Sequence, residues 1–161
     1  MWRVERTIHS LSRLFNVIAA GGVVLMMVLI TADVVLRLFW KPIPGVYDIV
    51  GLLGVLVISF ALAYTSIEKG HIAVDFIVQK LSMKAQVGVE AVNSFLGMVL
   101  FGLVAWRSLV YGSSLGVSGE VSLTIGLPIH WFVYGMGLGC FLLCLVLLLQ
   151  CINSLQRLVK N

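Results

Sequence analysis

Four stretches of this chain are long, apolar and almost free of formal charge: 14–32, 49–67, 87–106 and 129–152. A hydrocarbon layer about 30 Å thick takes ~20 residues of helix to cross at ~1.5 Å each. Each run meets that length, and no fifth run does. Only the third holds a residue with a formal charge, Glu90, near its start. A backbone inside lipid must satisfy its own polar groups, which selects helices for such runs. The expected fold is an all-α integral membrane protein with four transmembrane helices and short amphipathic interfacial helices. The helices are expected at about 14–40, 46–67, 85–111 and 128–152, in one domain over residues 1–161.

Composition excludes the other classes. Hydrophobic residues make up 60% of the 161 residues and charged residues 11%. A soluble domain carries roughly 25% charged residues, and a chain this small has too little interior to hide the apolar excess from water. A soluble enzyme, a disordered chain and a disulfide-stapled secreted domain are thereby ruled out. Cys140, Cys144 and Cys151 all fall in one apolar run. An odd number on one helix makes no disulfide framework, and packing is their expected role. Arg3, Arg6 and Arg13 precede the first run as in a signal peptide. That run is longer than a usual signal core, however, and Ile30-Thr31-Ala32 makes a poor cleavage site, so it is expected to stay as a span.

The excess of 11 basic over 7 acidic residues reports orientation rather than nucleic-acid binding, because the basic residues form no run. Arg3, Arg6, Arg13, Lys69, Lys80, Lys84, Arg157 and Lys160 fall on one side of the four spans. Arg37, Lys41 and Arg107 fall on the other. Positive charge favours the cytoplasmic side, so both termini and the middle loop are expected there. Two amphipathic stretches are expected at the inner surface: residues 1–13, and the middle-loop segment bearing Ile72, Phe76 and Leu81. The Gly- and Ser-rich stretch 112–127 is expected to be an irregular outer connection.

Ionisable residues inside a span are functional candidates by default. The span centres fall near Val23, Ile58, Gly97 and Phe141, and none has an ionisable residue within five positions. Asp33, Arg37, Asp48 and Glu68 mark span ends. Asp33 and Arg37 are four apart, as a local ion pair or a partner-facing pair would be. Glu68, Lys69, His71 and Asp75 form the densest charged cluster. These seven residues are the candidate structural or partner-contact positions. No phosphate loop, metal cluster or nucleophile beside a base is present, so no catalytic, substrate-binding or metal residue and no cofactor is assigned. Haem would need axial histidines inside facing spans, whereas His9 and His130 fall near the membrane surfaces and His71 in a loop. Gly135 and Gly139 form a small-xxx-small pair suited to close helix approach.

The segment Pro44–Ser82 resembles the small membrane subunit of tripartite ATP-independent periplasmic (TRAP) transporters, the DctQ-like family. The resemblance rests on Tyr47-Asp48 before span two, Gly70-His71-Ile72 with Val74-Asp75-Phe76 after it, the Asp33/Arg37 end of span one, and Leu127-Pro128, Trp131 and Tyr134 entering span four. It extends over nearly the whole chain. It implies a non-catalytic subunit in a bacterial inner membrane, surrounded by membrane lipid. Its implied partners are a large multi-span subunit that carries sodium and substrate sites, and a periplasmic substrate-binding protein that delivers an organic anion such as a carboxylate. Two other classes fit four spans. One is a membrane anchor or redox subunit of an enzyme complex. The other is a small self-sufficient transporter, which would need a deep carboxylate.

Overall fold

The computed structural model describes residues 2–39, 41–67 and 83–160. The described residues form four helices: α1 (Trp2–Phe39), α2 (Val46–Ile67), α3 (Met83–Ser118) and α4 (His130–Lys160). No strand occurs among the described residues beyond an isolated antiparallel bridge between Val121 and Pro128. Each helix contains a window long and apolar enough to cross a membrane. The protein is therefore an all-α, multi-pass membrane protein, as its hydropathy pattern requires.

The ends of the helices follow local chemistry. Pro42 and Pro44 lie in the short link after α1, where a missing N–H interrupts no helix. Gly45, at φ 79°, makes the left-handed turn into α2, a conformation that favours glycine. Its carbonyl accepts the Ile49 N–H at 3.0 Å to start the helix. Gly119, at φ 68°, ends α3, with its N–H bonded to the Leu115 carbonyl at 3.1 Å, the usual geometry of a left-handed helix stop.

Two expectations about helix limits are corrected. Residues 2–13 are not a separate surface helix but the first turns of α1, which runs unbroken for 38 residues. Ile8 and Phe15 pack against the core, and Ser12 is fully buried. The stretch 112–118, expected to be irregular, continues α3. Its serines turn back onto their own helix: Ser113 Oγ donates to the Val110 carbonyl at 2.7 Å and Ser114 Oγ to that of Tyr111 at 2.8 Å. A hydroxyl satisfied in this way is compatible with a helix in an apolar setting.

The helices form a row in the order α1, α2, α4, α3. The α3–α4 contact is the most extensive, followed by α1–α2 and α2–α4, and α1 touches α4 only narrowly. Among the described residues α3 contacts neither α1 nor α2 at the backbone level. The core is small: Ala63, Leu142, Leu143, Val146 and Leu147, joined by Ile8, Phe15, Leu62, Ile67, Met98 and Phe101. All four helices meet there, in the half of the row away from the 41–45 and 119–129 links. An edge-on contact between Phe15 and Phe60, with ring centroids 4.6 Å apart, holds α1 on α2. Burial follows the row order. In α4, 39% of the apolar window is buried, against 6% in α1, 17% in α2 and 11% in α3. The central helix is thus internal, and the others leave most of their apolar surface uncovered.

Three close approaches fix a common level across the row. A methyl group placed on Gly22 of α1 would come within 2.6 Å of Val57 Cγ2 of α2. One on Gly139 of α4 would come within 2.7 Å of the Ser59 carbonyl oxygen of α2, and one on Gly137 within 3.1 Å of Ser108 Cβ of α3. Gly22 and Val57 lie at the middles of the first two apolar runs, so this level is the middle of those two runs. On α3 it falls at Ser108. Gly97, expected at the centre of that span, instead faces Leu147, well to one side. Arg107, next to Ser108, is therefore level with Gly22 and Val57. Because α3 runs from Met83 to Ser118, its own midpoint falls at Leu100–Phe101 rather than at Gly97.

Candidate functional site

Three of the seven polar candidates, Asp33, Arg37 and Asp48, gather at the end of the row that carries the 41–45 and 119–129 links. Asp33 is 4% exposed. Its Oδ2 accepts from Arg37 Nε at 2.7 Å, and its Oδ1 accepts from the Ile43 N–H at 2.9 Å. One carboxylate thus fixes both the last turn of α1 and the chain that leaves it. The Arg37 guanidinium lies 5.3 Å from the centre of the Tyr47 ring, a distance at which cation and ring attract. Arg37 thereby reaches from α1 onto the first turn of α2.

Asp48 works in the other direction. Its Oδ2 accepts from Ser122 Oγ and, at 3.2 Å, from the Thr124 N–H. Ser122 is itself held in a tight loop. Its N–H donates to the Leu127 carbonyl at 2.8 Å, and its carbonyl accepts the Gly126 N–H at 3.0 Å. Gly126 supplies the positive φ of 68° that the turn needs. Ile125 covers Gly45 so closely that no side chain fits there. Beyond the loop, His130, Trp131 and Tyr134 form a cluster of rings. The result is a polar clasp joining the end of α1, the start of α2 and the loop before α4.

The clasp is architectural chemistry. Its carboxylates are engaged by donors within the chain, and it pairs no nucleophile with a base. No group of three or more His, Cys, Asp or Glu residues is placed to hold a metal among the described residues. The three cysteines are free. Cys144 Sγ donates to the Met98 carbonyl at 3.5 Å, so this thiol packs α4 against α3. Sequence reasoning found Asp33, Arg37 and Asp48 from their position at span ends, but it missed Ser122 and Thr124. No spacing rule links Asp48 to residues more than 70 positions away. The remaining candidates, Glu68, Lys69, His71 and Asp75, lie outside the described residues, as does the expected amphipathic segment of the middle loop.

The family model of the DctQ component of tripartite ATP-independent periplasmic transporters matches residues 26–157. The chain belongs to the DctQ family. The match covers the second half of α1, all of α2 and α3 and most of α4, so it includes the clasp and every apolar window except the start of the first. DctQ proteins are transporter components rather than enzymes, which agrees with a site built from structural contacts. No curated protein and no solved structure matches the chain.

Proposed function

We propose that this DctQ chain is the small scaffold subunit of a sodium-coupled TRAP transporter. It packs in the bacterial inner membrane against the large subunit that carries the organic anion. The observation that carries this reading is the open row: α1, α2 and α3 each bury 17% or less of their apolar windows. Such flanks suit lipid on one side and a larger membrane partner on the other. A carrier needs a polar site near mid-depth that opens alternately to each side. Here the central helix is packed with apolar side chains, and the helix breaks at Pro42, Pro44 and Pro128 lie outside the apolar runs.

Eight basic residues fall on the side of the termini. Two, Arg37 and Lys41, remain on the other once Arg107 is counted inside the span. The positive-inside rule then turns the clasp toward the periplasm. There it presents a fixed surface to the large subunit and to the substrate-binding protein. Glu68, Lys69, His71 and Asp75 supply further contacts on the cytoplasmic side. The test is co-expression with the large membrane subunit of the same transporter, tagging only the small one. The two are expected to purify as a stable pair. Recovery of the small subunit alone, with the large subunit expressed and stable in the same membranes, would overturn the proposal.

A further inference from the structure

An apolar groove of about 780 Å³ opens along the outer surface of the row between α2 and α3, with α4 as its floor. Leu52 and Val55 form one wall, Ile129, Phe132, Val133 and Met136 the floor, and α3 the other wall. The α3 wall is periodic. Leu100, Arg107 and Ser114 recur every seven residues, with Leu103 and Val110 between them at matching intervals. All five are exposed. This is the a/d spacing by which one helix receives another. Arg107 is the one charged residue that lines this groove.

Arg107 lines this groove, level with the middles of the first two apolar runs, and forms neither a hydrogen bond nor an ion pair with any described residue. A guanidinium there is costly unless paired, with insertion scales giving roughly 2.5–3.5 kcal/mol at a helix centre. The described acids offer nothing at that level: Asp33, Asp48 and Glu120 lie at the loop end, and Glu90 is 17 residues back along α3. The helix continues for 11 residues beyond Arg107, about 16 Å at ~1.5 Å each.

We infer that this groove seats one transmembrane helix of the large subunit, and that this helix carries an Asp or Glu opposite Arg107. The inference rests on the scaffold reading above and adds to it the docking face and the chemistry of the contact. A second copy of this chain fits less well, because it brings no acid to that level among its described residues. In the pair, the carboxylate and the guanidinium neutralise each other where neither is hydrated.

The test uses the co-expressed pair. Arg107→Leu and Arg107→Glu are expected to lower co-purified large subunit by ~10-fold or more, the usual consequence of unpairing a desolvated charge. In lipid nanodiscs the isolated Arg107→Leu subunit is expected to be at least as heat-stable as wild type, since a lone cation has left an apolar groove. Intramembrane Asp and Glu residues of the large subunit are then changed one at a time to Lys against Arg107→Glu, and one exchange is expected to restore the pair. Four results would overturn the inference. Arg107→Leu could assemble and transport as wild type. It could assemble normally but lose uptake, which would assign Arg107 to the transported anion. Added phosphatidylglycerol could restore the lost pairing, which would assign it to a lipid headgroup. No exchange could rescue Arg107→Glu. If the wild-type subunits fail to co-purify, the scaffold proposal itself falls and this inference with it.

Discussion

At the scale of single residues, the polar side chains at the loop end have separable tasks. Removing the Asp33 carboxylate leaves the Ile43 N–H without its acceptor in a nearly closed setting. An unpaired buried donor costs about 1–3 kcal/mol. Asp33→Ala is therefore expected to lower the thermal midpoint of the purified subunit, whereas Asp33→Asn, which keeps an acceptor for Ile43, is expected to recover part of it. A midpoint unchanged in Asp33→Ala would contradict the assigned contact. Asp48 holds a loop rather than a helix end. Asp48→Ala is expected to speed amide hydrogen exchange at 119–129 while leaving the α1 end protected. Equal exchange in wild type and variant would show that the loop keeps its fold without Asp48. Asp33 and Arg37 were legible as a pair because one helical turn separates them. Ser122 and Thr124 were not, because loop-to-helix contacts depend on how α2 and α4 pack.

At the scale of elements, close approach decides which glycines matter. Gly139 faces the Ser59 carbonyl, and backbone cannot yield as a flexible side chain can. Gly139→Leu is expected to separate α2 from α4 at a cost of ~1–3 kcal/mol. Gly21→Ala, with nothing within 4 Å of the new methyl, is expected to be neutral or mildly stabilising, since Ala is the better helix former. Comparing their heat stability in lipid nanodiscs checks both; equal effects would contradict the packing of α2 on α4. The four helices could be read from the sequence because hydropathy alone demands them, and Gly135 and Gly139 could be found by their spacing. The end of α3 could not. Glycines and serines at 112–118 carry the composition of a loop in water, yet the stretch stays helical as its serines bond back onto their own turn. That one misplaced end set the apparent centre of the span at Gly97, whereas the midpoint of α3 falls at Leu100–Phe101.

At the scale of the molecule, the row leaves most of its apolar surface uncovered and makes sense as part of something larger. Its orientation is open to a direct check in a background without Cys140, Cys144 and Cys151. A cysteine introduced at Leu123, on the fully exposed loop tip, is expected to react with a membrane-impermeant thiol reagent from the periplasmic side. One introduced at Ser82 is expected to react only after the membrane is opened, and the reverse pattern would invert the topology. The central claim is that this chain supports transport without carrying it out. The measurement that tests it most directly is reconstitution into liposomes under a sodium gradient with a candidate carboxylate. The small subunit alone is expected to take up nothing, and the small and large subunits together are expected to transport when the binding protein is supplied. Sodium-driven uptake by the small subunit alone would contradict the account.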